Sequence, residues 1–197
     1  TLNPLWPNTE QTIFAGNLAI TTAQLTGAQV STRFPVGTTG KYYVEATSFN
    51  DNTNPCAITL TSEVDADILP DTGVFTTANY SSIGGMGASF SDFTSTTASS
   101  YTPTVVPYYY VALGIDFDNQ KVFQYANGVL VNTDDTVDFT KELAINIQQP
   151  LSSYNTYQPC INFGQLPFYG TIPDGFTTLE ADNLPAATIT DGSDGFR

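Results

Sequence analysis

The chain has 197 residues, with 19 acidic and 5 basic side chains, no histidine and a net charge of −14. Five scattered cations (Arg33, Lys41, Lys121, Lys141 and Arg197) build no basic patch. Nucleic acid, which needs Lys and Arg to release counterions from phosphates, is therefore excluded as a partner, and an anionic membrane surface is disfavoured for the same reason. Without histidine there is no Ser-His-Asp or Cys-His nucleophile system, no His-containing zinc site and no ordinary switch near neutral pH.

Charged residues make up 12% of the chain, about half the usual share. The polarity comes instead from Thr, Ser, Asn and Gln, which suit turns and exposed strand faces. The length fits one domain over residues 1–197, with a polar tail from about 186. No apolar run approaches the roughly 18 residues of a membrane span, so no membrane insertion is expected. The sequence begins at Thr1 and reads as a processed product or as part of a longer chain.

In chain order, short apolar runs alternate with turn chemistry, the pattern of a β-sandwich or barrel. Ile13 to Thr22 predicts strand, turn and strand, turning at Ala15-Gly16-Asn17. After a turn at Gly37-Thr38-Thr39-Gly40, residues Tyr42, Val44, Ala46 and Ser48 alternate with Tyr43, Glu45, Thr47 and Phe49. The polar loop Asn50 to Pro55 leads into a strand from Cys56 to Ser62. The Ser-, Thr- and Gly-rich segment 80–102 predicts strand fragments and long loops, with Gly84-Gly85-Met86-Gly87 as its most flexible point.

Residues 108–131 carry the clearest signal, a meander of three antiparallel strands. Val111, Leu113, Ile115 and Phe117 share one face, Asp118-Asn119-Gln120 turns the chain, and Val122 to Tyr125 returns it. Asn127-Gly128 is the strongest two-residue hairpin signal, and Val129 to Val131 continues beyond it. Short strands follow at Leu143 to Ile147 and Cys160 to Gly164. No segment has a helical period.

Several of these stretches together resemble the SPRY domain, in the form found in tailed-bacteriophage structural proteins. The opening runs Leu2-Asn3-Pro4-Leu5 and Gly16 to Thr21 are similar to that form's first strands, and Gly40 to Ala46 is similar to its Gly-Lys-Trp-Tyr strand. Val111 to Asp118 followed by Gln124 to Val129 is similar to its hairpin. The most specific piece is Asn162-Phe163-Gly164-Gln165-Leu166-Pro167-Phe168, followed by Pro173-Asp174-Gly175-Phe176 and Asp182-Asn183-Leu184-Pro185. Where that form has Arg in Gly-Gln-Arg-Pro-Phe, this chain has Leu166. The resemblance covers nearly the whole chain. It implies an all-β, two-sheet antiparallel β-sandwich of SPRY or concanavalin-like jelly-roll type, and a role in recognition, not catalysis.

Other readings compete at particular residues. Glu63, Asp65 and Asp67 alternate as the paired carboxylates of laminarinase-type glycosidases do, but the last acid is Asp and Pro70 follows closely, so a solvated strand end is the simpler reading. No cofactor is expected. Calcium is a further candidate, at Asp51, Asn52 and Asn54, at Asp116, Asp118 and Asn119, or at Asp134 and Asp135. Tyr108, Tyr109, Tyr110, Tyr154, Tyr157 and Tyr169 fit either a sugar-binding face or half-buried packing of the sheets. Trp6 reads as an edge anchor or a subunit contact, Met86 has no reactive context, and Cys56 and Cys160 admit one bridge or two buried thiols.

The expectation is a non-enzymatic virion-surface protein of a phage, a fibre or decoration component. Its partners would be other virion proteins, copies of itself, or a glycan or protein of the host surface. The expected contact surface is the loops Asn50 to Pro55 and Ser81 to Ser100, with Asp51, Asn52, Asn54, Tyr101, Tyr154 and Tyr157 as candidate contact residues. The alternatives are a carbohydrate-binding, lectin-like module and, third, a glycoside hydrolase using Glu63.

Overall fold

Period-two alternation gives each strand two faces, and an apolar face is stable only against a second layer. A computed structural model shows how this chain meets that demand in residues 11–14, 19–22, 31–48, 57–61, 80–85, 97–101, 110–148 and 159–179. The strands are β1 Gln11–Phe14, β2 Ala19–Thr22, β3 Ser31–Phe34, β4 Lys41–Ser48, β5 Ala57–Thr61, β6 Tyr80–Gly85 and β7 Thr97–Tyr101. They continue with β8 Tyr110–Asp116, β9 Lys121–Ala126, β10 Val129–Asp134, β11 Leu143–Gln148, β12 Pro159–Asn162 and β13 Thr177–Thr178. None of the described residues is helical.

The strands form two sheets, one ordered β1-β2-β12-β4-β8-β9-β10 and the other β3-β11-β5-β6-β7. Pairing is antiparallel except for two ladders, β6 with β7 and β13 with β4. Two short strands share one flank of β4: β12 lies along residues 45–48 and β13 along 42–43. The predicted meander is present as β8-β9-β10, with Asn127 and Gly128 both at positive φ (47° and 79°), as a primed hairpin turn requires. Asn127 also accepts the Tyr110 amide on its side-chain oxygen. The strand expected over Cys160 to Gly164 runs as β12 over Pro159–Asn162, and Gly164 lies just past it with φ 119°.

The core lies between the sheets. Tyr42, Val44 and Ala46 of β4, Val111, Leu113 and Ile115 of β8, and Val122 and Ala126 of β9 come from one side. Ile58 and Leu60 of β5, Ile83 of β6, and Leu143, Ile145 and Ile147 of β11 come from the other. Among these apolar side chains, Gln124 donates through Nε2 to Ser81 Oγ at 2.7 Å, a buried polar tie from β9 to β6. Phe117 brings Phe34 and Phe139 together, with ring centroids at 5.0 and 5.5 Å.

Within segment 80–102, the strand fragments expected there are β6 and β7. Gly84 and Gly85 are strand residues, so the expected point of flexibility there is corrected, and residues 81–85 and 97–100 of the expected Ser81 to Ser100 contact loop belong to β6 and β7. The physical reason is Ile83: its full burial pins β6 between β5 and β7, and pairing on both sides holds the glycine backbone extended. β11 runs one residue past the predicted Ile147, to Gln148.

The turn after β8 is held by Asp116 and Asp118, two of the candidate calcium ligands. Asp116 accepts from Lys41 Nζ at 2.8 Å and from Asn119 through both its amide and its side chain, while Asp118 accepts the Gly40 amide at 2.8 Å. Burial alone raises the Asp116 carboxyl, but the bonds from Lys41 and Asn119 outweigh it and hold the group below its ordinary 3.8. A carboxyl lowered on folding adds stability above its unfolded pKa, and that stability is lost as pH falls through the folded value. In Lys41→Met, the Asp116 titration followed by carboxyl NMR moves to higher pH and the acid-unfolding midpoint moves up with it. An unmoved titration contradicts the role given to Lys41.

Candidate functional site

Strand alternation points Tyr43, Glu45 and Thr47 of β4 away from the core. The register sets beside them Tyr110, Ala112 and Gly114 of β8, and then Phe123 and Tyr125 of β9. An outer face of this kind normally meets water. Here Tyr43 is 1% exposed, Glu45 2% and Ala112 0%, because the chain after β12 folds back across it as a strap.

The strap starts in a turn built around Asn162. Its Oδ1 accepts the amides of Gly164 (2.9 Å) and Leu166 (3.3 Å), and its Nδ2 donates to the carbonyls of Leu166 (3.0 Å) and Pro167 (3.4 Å). Gln165 Oε1 accepts the Phe163 amide at 2.9 Å. The Asn-Phe-Gly-Gln run is thus a set of main-chain supports. Aromatic rings carry the strap onward: Phe168 meets Tyr43 edge-on at 5.3 Å, and Tyr169 stacks on Tyr110 at 5.9 Å. Phe176 lies over Gly114 and meets Phe123 edge-on at 5.7 Å.

Glu45 fastens the strap to the sheet. Its Oε2 accepts the Tyr169 amide at 2.9 Å, and its Oε1 accepts the Gly170 amide at 2.8 Å and the Tyr43 hydroxyl at 3.1 Å. Burial raises the Glu45 carboxyl above its ordinary 4.5; the three donated bonds oppose that rise without cancelling it. Tyr43, beneath the strap, is raised by burial and then by the neighbouring carboxylate. Gly170 is required by space: a Cβ there would lie 2.8 Å from Tyr110 Oη, 2.9 Å from Glu45 Oε1 and 3.0 Å from Tyr43 Oη.

Between strap and sheet lies a cleft of about 410 Å³, lined by Glu45, Thr47, Cys160, Asn162, Leu166, Pro167, Phe168 and Tyr169. Leu166 and Tyr169 are 49% and 53% exposed, large apolar surfaces on a rigidly held segment. Cys160 is a free, buried thiol, and burial pushes its pKa up to about 11. Because the thiolate is the nucleophile, Cys160 is a wall and not a reactive group.

Tyr101 closes β7, and Asp51, Asn52, Asn54, Tyr154 and Tyr157 lie outside the described residues. Trp6, Cys56, Glu63, Asp65, Asp67, Met86, Tyr108 and Tyr109 lie outside them too. Of the tyrosines considered for sugar binding, Tyr110 is buried and Tyr169 lines the cleft. Asp134 accepts the amide and hydroxyl of Thr136, and no three metal-ligating side chains gather among the described residues. Glu45 was not singled out from the sequence. The available signal was an acid within the apolar and aromatic run Tyr42-Tyr43-Val44-Glu45-Ala46, where charge is tolerated only if partnered.

No family model and no curated protein matches the sequence. Among solved structures, the SPRY domain of human HERC1 aligns with a TM-score of 0.51 at 15% identity, over 85% of this chain and all 100% of that one. The TRIM65 PSpry domain aligns with a TM-score of 0.56 at 10% identity, over 82% of this chain and 88% of that one. The chain has the SPRY fold, a two-sheet β-sandwich.

The crowding at Gly170 gives a direct test of the strap. Gly170→Ala inserts a methyl group among three oxygen atoms and should cost about 1–3 kcal/mol, measured by urea unfolding. Wild-type stability in this variant would mean that the strap does not sit where Glu45 holds it.

Proposed function

We propose that the chain is a non-catalytic recognition module that works through protein–protein contact, as a fibre or decoration component on the surface of a phage virion. The observation that carries the reading is the SPRY fold with Leu166 and Tyr169 exposed on a strap that the sheet holds in place. Interface cores favour large apolar and aromatic side chains on preorganised backbone. The chemistry of the cleft is consistent with binding: Glu45 is committed to main-chain amides, and the Cys160 thiol is kept protonated.

The virion setting draws on the resemblance between the run from Asn162 to Phe176 and the phage form of the domain. Its partners are then neighbouring virion proteins and further copies of this chain, with a host-surface glycan or protein as a second contact. The lectin-like alternative draws on the half-exposed ring of Tyr169, and a glycan array separates it from the protein-binding reading. Light scattering on the native chain tests the assembly role. A trimer or larger particle at micromolar concentration is expected, and a clean monomer contradicts it.

A further inference from the structure

We infer that the cleft beside the strap seats an arginine side chain presented by a protein partner. This rests on the reading of the chain as a protein-binding module and names the chemistry its partner brings to this site. It starts from the hydrogen-bond partners of Glu45. All three of its hydrogen-bond donors, two backbone amides and a tyrosine hydroxyl, are neutral. A carboxylate has room for about four such bonds, so one acceptor position remains, on Oε2. Among the described residues, no cation faces this desolvated carboxyl group.

Nothing in the described part of the chain supplies one. Arg33 pairs with Glu142, Lys41 with Asp116 and Lys141 with Asp138. Lys121, the other described cation, does not line the cleft. At the rim, where a basic side chain of the strap itself would reach, stands Leu166.

The walls select the kind of cation. Leu166 and Pro167 offer apolar surface to an aliphatic stem, and Phe168 and Tyr169 offer rings to a cationic head. A guanidinium is planar and weakly hydrated and stacks on aromatic faces, whereas an ammonium is compact and strongly hydrated. The cleft volume of about 410 Å³ holds one long side chain with part of its backbone. The net charge of −14 steers a basic segment towards this chain.

Calorimetric titration of the native chain with the peptide acetyl-Ala-Ala-Arg-Ala-Ala-amide tests the inference. The control is the same peptide with citrulline, which keeps the shape and removes the charge. Saturable binding of the arginine peptide is expected, with affinity at least tenfold weaker for the citrulline peptide and for Glu45→Gln. Because Glu45→Gln also loosens the strap, Leu166→Arg serves as the second variant. It places a guanidinium at the rim from within the chain, and should weaken peptide binding at least tenfold without lowering the melting temperature. Equal binding of the two peptides, absence of saturable binding, or unaltered affinity in Leu166→Arg overturns the inference. Any of these beside an intact oligomer removes only the arginine site, whereas failure of the assembly reading appears as a monomer.

Discussion

A carboxylate on the outer face of a sheet, taken out of water, has to be satisfied by hydrogen bonds. Glu45 meets that demand with the amides of Tyr169 and Gly170, more than 120 residues further along the chain, and most of the site follows. The strap must cross β4 at that point, so residue 170 must be glycine. Phe168 and Tyr169 must fall on Tyr43 and Tyr110, and a cleft opens where the strap lifts from β12. The bond between strap and sheet is polar and directional, and it fixes position in a way that apolar packing alone would not.

The sandwich gives this clamp a rigid base. β4 is buried on both faces, against the opposite sheet through Tyr42, Val44 and Ala46 and against the strap through Tyr43 and Glu45. It is also paired along both edges, with β8 on one side and with β12 and β13 on the other. A strand held on every side has little freedom to move a side chain, which suits a residue whose work is to hold another segment still. The Gln124–Ser81 bond ties the two sheets within the core, where a slip in register would leave both groups without that partner.

Much of the sandwich was legible in the sequence because local chemistry dictated it. Asn127-Gly128 fixes a primed turn by its φ preference, and the alternation around it fixes which residues of β8 and β9 face inward. Tyr42 to Ala46 announced a strand with two distinct faces. What could not be read was set by distant contacts. The parallel ladders of β7 and β13 have no local signature, and the glycines of β6 looked flexible until their neighbours on both sides were known. The strap illustrates the limit best: the run from Asn162 to Phe168 was recognisable as a pattern, but that Asn162 props its own loop and Glu45 receives the next segment depends on three-dimensional closure. Of the expected contact residues, which came from loop composition, Tyr101 closes β7 and the others lie outside the described residues.

A fold with two sheets, a covered outer face and an exposed apolar strap suits recognition by a preorganised surface, and the arginine site we infer beside Glu45 would give that surface a chemical preference. Both depend on the two amides bound to Glu45. Amide hydrogen exchange at Tyr169 and Gly170 measures that bond most directly. The account predicts exchange as slow as at Val44 in the centre of β4, although Tyr169 is half exposed, and a marked acceleration at both amides in Glu45→Gln. Exchange at Tyr169 and Gly170 as fast as at exposed Gln165 in the wild-type chain would contradict it.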